Sequence, residues 1–448
     1  MNITPDDVDH AEKRNQNVDY HKIKSFLIAS LIRTLETDQV PQSQTGKATS
    51  RLLSQIYAKA GLQLPDATRG KLFKEVLDEL VGYGPIQPLM DDPDISEVLV
   101  NGAAQVYAER NGSLFRTEIV FDDNDHILRL IERIIAPLGK RIDQDHPIFQ
   151  ARLPDGSYIY AVIPPAALDG PAITIRKFGK EKLTISQLIE AGSITESIVE
   201  FLNACVAARL NIVISGGSGS GTTTMLNALS GYIPAEERIV TIEDSAELKL
   251  PQEHVVRLEA KPPNWDGRGA VTMRDLVQTA LQLRPDRIVV GRVGAGESLD
   301  LLQAFNTGTE GALISVRANS PREAIARLEK MALMAEPDLP VRTIREKIAF
   351  GVDLIIQQAR LRDGTRKITQ ITELAGMEGD TIVLTDIFKF EQAGIEPDGR
   401  VLGEIQPTGI RPLFSGRLEQ AGFKLKAQIF GVNVAEMLSQ GRKSSSLR

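Results

Sequence analysis

The stretch "NIVISGGSGSGTTTMLNALS", residues 211 to 230, limits what this chain can become more than any other part of it. A β-prone apolar run enters a loop whose glycines are Gly216, Gly217, Gly219 and Gly221, and three threonines then open a helix-forming run. Small residues of this kind let successive backbone N–H groups turn inward, and a helix starting at once adds the positive end of its dipole. Strand before and helix after make the stretch a phosphate-binding loop. The pattern G-x-x-x-x-G-K-[ST] fits Gly216 through Gly221, after which Thr222 stands in the lysine's place. Thr223 holds the position whose hydroxyl would ligate Mg²⁺. A cradle of main-chain amides needs no lysine; what is lost is a cation between the β- and γ-phosphates. The expected nucleotide set is Gly216, Gly217, Ser218, Gly219, Ser220, Gly221, Thr222, Thr223 and Thr224, for ATP or ADP.

The rest of the chain divides around this loop. Residues 1–20 are polar and expected to be loose. Three helical patterns, His21 to Glu36, Lys47 to Ala60 and Asp66 to Val81, predict a bundle over 21–84. From 85 to 180 short β-prone runs are punctuated by Asn101-Gly102, Asn111-Gly112 and Asp155-Gly156, which are hairpin signals. With a helix over His126 to Ala136, this predicts a small α+β domain. "GKEKLTISQLIEAGS" reads as a connector. Beyond it, "NIVIS", "RIVTIED", "DRIVVGRV" and "ALISVRA" alternate with helical patterns, which implies a largely parallel sheet covered by helices. A late hairpin turns at Asp363-Gly364. The nucleotide-binding domain spans 181–430, and 431–448 is a frayed tail.

Composition narrows the partners. The formal net charge of −7 argues against a dedicated nucleic-acid binder. The single cysteine, Cys205, lies in an apolar helical run, excludes disulfides, and reads as a buried structural thiol. Five histidines without ligand spacing and Trp265 in a loop-like stretch read as ordinary surface or packing residues. The polar N-terminus is no signal peptide, and no apolar run reaches bilayer length. These features predict a cytosolic chain without a transmembrane segment.

The loop, "TIEDSAELKLPQEHVVRLEAKPPN", "LRPDRIVVGRV", "LDLLQAFNTGTEGALISVRANSPR" and "ARLPDGSYIYAVIPP" together resemble the CpaF-type (Tad/Flp pilus) branch of the type II/type IV secretion ATPases. The resemblance covers roughly residues 65 to 430. It implies a RecA-like P-loop NTPase core of α/β class behind the helical bundle and the α+β domain. It also implies a cytoplasmic homo- or hetero-hexamer at the inner membrane, with pilus or secretion platform proteins as partners. Arg141, Arg152 and Arg176 match positions that reach toward nucleotide. Asp286 and Thr223 match the Mg²⁺ side, and Glu243 and Asp244 match an acidic box.

The departures are as informative. Besides Thr222, the family's GEVRG reads "GRVGA", so Arg292 replaces a catalytic glutamate and Gly294 an arginine. Thr309 and Arg317 fill both positions of a histidine box, and Tyr158 stands where an arginine is expected. Losing one transition-state arginine can remove about 10³-fold in rate, so several losses together predict little or no hydrolysis. Glu243 is the remaining candidate base, although an isolated carboxylate at a strand end is expected to pair with an arginine. For Arg292 two readings stand: drift at a position no longer needed for catalysis, or, with Arg317, added cations near the loop that would make nucleotide binding less dependent on Mg²⁺. Such a subunit is expected to work beside an intact homologue; the alternatives are a working ATPase whose substituted groups come from Arg292, Arg317 or a neighbouring subunit, and a scaffold that holds no nucleotide.

Overall fold

The structure is a computed structural model and describes residues 20–35, 45–110, 112–138, 141–177, 183–263, 267–306, 308, 310–397 and 399–431. Trp265, Thr309, the N-terminus before residue 20 and the tail after residue 431 lie outside the described residues. The chain divides into two compact units, residues 1–180 and 181–448.

The first unit begins with helices α1 (residues 20–35), α2 (Thr45–Lys59) and α3 (Asp66–Leu80). Their apolar stripes meet at Leu27, Leu31, Leu53, Tyr57, Leu72 and Val76. After the short α4 (Gln87–Asp91) come strands β1 (Ile95–Asn101), β2 (Val106–Arg110) and β3 (Ser113–Arg116), then α5 (Asn124–Ile135). Asp123 caps α5 by accepting from the His126 amide. Strands β4 (Ile148–Arg152), β5 (Tyr158–Val162) and β6 (Ala172–Arg176) complete an antiparallel sheet of order β3-β2-β1-β6-β5-β4. Alternate residues such as Val98 and Val100 face the same core as Ile127, Leu130 and Ile131 of α5. His126, 4% exposed, ties this helix to α3 through a 2.8 Å contact of Nε2 with Glu79 Oε1.

In the second unit the stretch read as a connector already folds. Thr184 and Gln187 form a capping box, and α6 (Ile185–Glu190) buries Leu188. Helix α7 (Glu196–Ala207) follows and buries Cys205, whose thiol is pushed well up by burial. Then come β7 (Ile212–Gly216), α8 (Thr222–Ser230), β8 (Ile239–Glu243), β9 (Val255–Glu259) and α9 (Met273–Gln282). Next are β10 (Arg287–Val290), α10 (Ser298–Asn306), β11 (Leu313–Arg317), α11 (Pro321–Ala335) and α12 (Val341–Gly351). Last are β12 (Leu354–Arg360), β13 (Arg366–Glu378), β14 (Thr381–Ile395), β15 (Val401–Pro407) and α13 (Ser415–Gln420).

These strands form one sheet of order β15-β14-β13-β12-β7-β11-β10-β8-β9. It is parallel from β12 to β9 and antiparallel from β12 to β15. Every residue of β7, β8 and β10 is buried, as strands covered on both faces require. Ile212 and Ile214 enter one core with Phe201 and Leu226, whereas Val213 enters the other with Ile288 and Ile355. The parallel half of the sheet with its helices is the RecA-like P-loop core. Strands β9, β14 and β15 lie beyond what the sequence patterns anticipated. Among the described residues no helix is long and apolar enough to cross a membrane.

Candidate phosphate-binding site

Strand β7 lies inside the parallel sheet, between β12 and β11, so its carboxyl end opens between two strand ends, where α/β sheets bind ligands. The loop leaving it is tightly built. A β-carbon on Gly216 would fall 2.2 Å from Ser220 Oγ and 2.9 Å from the Gln358 carbonyl, so only glycine fits there. Ser220, buried, donates its hydroxyl to the Gly217 carbonyl at 2.8 Å and closes the first turn. Gly221 takes φ +92° and stands as the N-cap of α8. A glycine cap offers no side chain to the first-turn amides, and that turn carries no acidic residue. The amides at Thr222, Thr223 and Thr224 therefore face the loop as donors for an anion.

The neighbouring strand ends supply the other polar groups. Arg317 of β11 pairs in register with Gly216 and is exposed, its side chain making no hydrogen bond or ion pair to a described residue. Gln357 and Gln358 of β12 pair with Ser215 and Gly216, and each is 2% exposed. Their Oε1 atoms and Ser215 Oγ have no hydrogen-bond partner. Buried polar atoms in this state call for a partner such as water or an ion.

The expected arginine partner of Glu243 is not what the structure gives it. Its Oε2 accepts from the Glu247 amide at 2.7 Å and the Leu248 amide at 3.0 Å, holding the turn after β8. At 2% exposure, burial pushes this carboxyl above the usual range, against the pull of the two amides. The arginine goes to the next residue: Arg292 forms its ion pair with Asp244, both half-exposed. Of the two added cations, then, Arg317 flanks the loop and Arg292 is spent on a carboxylate.

Asp286 is not brought to the loop. Leu313 pairs with both Val289 and Ile212, so Asp286 lies three residues down its strand while Gly216 lies four residues up. At strand rise that is roughly 23 Å. Asp286 instead accepts from the Arg238 amide at 2.8 Å. Next to it Arg287, fully buried, donates to Glu237 at 2.5 Å and to the carbonyls of Val206 and Gly311. One carboxylate went unnoticed in the sequence: Glu297, 4% exposed, accepts from the Gly294 amide just before α10. The only signal for it was being the lone acid between Arg292 and that helix.

In the first unit, Arg152, Tyr158, Arg176 and Glu97 form one row across β4, β5, β6 and β1. Arg176 favours the charged form of Glu97, but burial outweighs it and raises that carboxyl. Arg141 pairs with Asp143 at 3.4 Å.

The donor set fits phosphate: a run of amides at the start of α8 with Arg317 beside it. It fits a divalent cation less well. Thr223 offers a hydroxyl, but Glu243, Asp244 and Glu297 are each engaged, and among the described residues no three His, Cys, Asp or Glu side chains are arranged to hold a metal.

The family model described as "Type II/IV secretion system protein" matches residues 79–386. A Mycobacterium tuberculosis protein named for conjugal transfer is 36% identical over 313 residues, 68% of this chain and 88% of its own. The type IV secretion system protein PtlH of Bordetella pertussis is 31% identical over 308 residues, 63% of this chain and 91% of its own. Among solved structures, the VirB11 ATPase of the Brucella suis type IV secretion system, in complex with sulphate, is 28% identical. It covers 64% of this chain and 95% of that one, with a TM-score of 0.36.

Proposed function

The chain belongs to the type II/IV secretion system protein family, a family of secretion ATPases, and from that premise we propose that it holds ATP or ADP while hydrolysing it slowly or not at all. In this reading it is a subunit of a Tad/Flp-type homo- or hetero-hexameric ring at the cytoplasmic face of the inner membrane. Its partners are the pilus or secretion platform proteins and an intact ATPase homologue.

One observation carries the reading. The amide cradle is complete, yet every carboxylate at the neighbouring strand ends is already engaged. Glu243 is held by backbone amides, Asp244 by Arg292, and Glu297 by the Gly294 amide. Hydrolysis needs a carboxylate free to position water, and cations where charge develops. Binding needs only the cradle and nearby positive charge. Arg141, Arg152 and Arg176 are proposed as further nucleotide contacts, on the strength of the family match at their positions.

The test is thermal unfolding with and without ATP, beside steady-state phosphate release. Ligand at 100 times its Kd stabilises the fold by about 2.7 kcal/mol, so a clear upward shift with phosphate release at background is expected. No shift at saturating ATP removes the nucleotide from the account. A slow ATPase is the second reading, and the raised Glu243 carboxyl favours it, because a base needs a pKa near the working pH. It predicts measurable turnover that Glu243→Gln abolishes.

A further inference from the structure

The cation that the loop lacks has a substitute within the same unit. Strand β12 runs parallel to β7, then turns back through residues 361–365 into β13, where Arg366 pairs in register with Arg360. Asp363 fixes that turn: it accepts from the Thr365 amide at 2.9 Å, the Thr365 hydroxyl at 2.6 Å and the Val401 amide at 2.9 Å. The hairpin thereby carries two guanidinium groups to the flank of the phosphate loop. Arg366 Nε donates to the Gly219 carbonyl at 2.9 Å, and its Cδ lies 3.2 Å from where a β-carbon on Gly221 would sit. Arg360 Nη1 lies 3.8 Å from the equivalent point on Gly219. The terminal amino groups of Arg366 donate to no described residue.

A second observation points to a ligand at this place. Gln358, 2% exposed, has an unpartnered Oε1, and its Nε2 lies 3.6 Å from the β-carbon point of Gly221. A buried polar atom left in this state is costly, so Gln358 calls for a hydroxyl or water partner at this place.

We propose that Arg366, with Arg360 beside it, supplies the positive charge of the absent loop lysine and holds the phosphates of a nucleoside di- or triphosphate. A guanidinium anchored through Nε still presents its other edge, a fork that matches two phosphate oxygens. The proposal rests on the nucleotide-binding reading above and assigns that binding to a particular cation.

The experiment is calorimetric titration of the full-length protein with ATP and, separately, AMP. It covers the wild type, Arg366→Gln, Arg366→Lys, and Arg366→Gln combined with Thr222→Lys. Removing a charged hydrogen-bond partner predicts about tenfold or greater weakening of ATP binding in Arg366→Gln. AMP, which lacks the outer phosphates, should weaken far less. Arg366→Lys should retain most of the affinity. Thr222→Lys should restore ATP binding to the Gln variant while adding little to the wild type. A variant that damaged only loop packing would weaken ATP and AMP alike and resist rescue by the lysine, and that result overturns the proposal. Unchanged ATP affinity in Arg366→Gln overturns it too, while leaving nucleotide binding intact. If the wild type binds neither nucleotide, both readings fall.

Discussion

Glycine to alanine should have opposite signs at two positions of this chain. At Gly216 the added β-carbon meets Ser220 Oγ at 2.2 Å, Thr222 Cγ2 at 2.8 Å and the Gln358 carbonyl at 2.9 Å. The serine can rotate, but the carbonyl belongs to a buried strand hydrogen-bonded to β7, so the loop itself has to move. Overpacking of this kind costs about 1–3 kcal/mol. For a unit of this size that is roughly 2–10 °C in melting temperature. At Gly70, exposed within α3, a β-carbon meets nothing within 4 Å. There alanine removes backbone freedom from the unfolded chain and should stabilise by about 0.5–1 kcal/mol. Thermal unfolding of Gly216→Ala and Gly70→Ala, each with and without saturating ATP, reads both effects. Gly216→Ala should melt lower and lose most of its nucleotide-induced shift, whereas Gly70→Ala should melt higher and keep its shift. A Gly216→Ala protein with wild-type melting and a wild-type ATP shift would refute the idea that packing against β12 shapes the cradle.

Among the described residues Arg287 is the largest fully buried side chain, and it satisfies Glu237 and two carbonyls. Removing its partner by Glu237→Ala leaves a buried charge and should cost about 3–5 kcal/mol in urea unfolding. Asp363 is held down to about 2, chiefly by the Thr365 hydroxyl and the Val401 and Thr365 amides. A folded pKa below the unfolded value gives stability that is present above 3.8 and lost as pH falls toward about 2. Asp363→Ala should therefore be less stable than wild type at neutral pH, with the difference closing across that window in a pH series of melts. Thr222→Lys with Arg292→Glu returns the loop cation and a carboxylate to the end of β10, and should raise phosphate release above wild type. No gain would mean that the block lies in other residues.

Legibility in the sequence followed how locally each feature is determined. Strand, glycine loop and helix between Ile212 and Ser230 were readable because each depends only on its neighbours in the chain. The buried strands β8, β10 and β11 showed for the same reason. Strands β14 and β15 did not, since their mixed, half-exposed residues and the irregular pairing near Gly394 hide the alternation of a strand. The site was less legible than the fold. The partners of Glu243 are amides brought round by a chain reversal at 244–248, and no spacing rule announces them. Asp286 matches a Mg²⁺-side position by resemblance, but strand direction speaks against it, because a residue entering a parallel strand faces the end opposite the loop that leaves β7. The Asp363-Gly364 turn was visible, but not that β12 would lie against β7 and bring Arg366 to Gly219 across 147 positions.

The most direct test of a site that binds without cleaving is a single-turnover experiment, with protein in excess over labelled ATP, quenched over time and analysed for ADP. ATP should be bound and recovered intact over many minutes, with no dependence on Glu243. Conversion to ADP within seconds, abolished by Glu243→Gln, would contradict this.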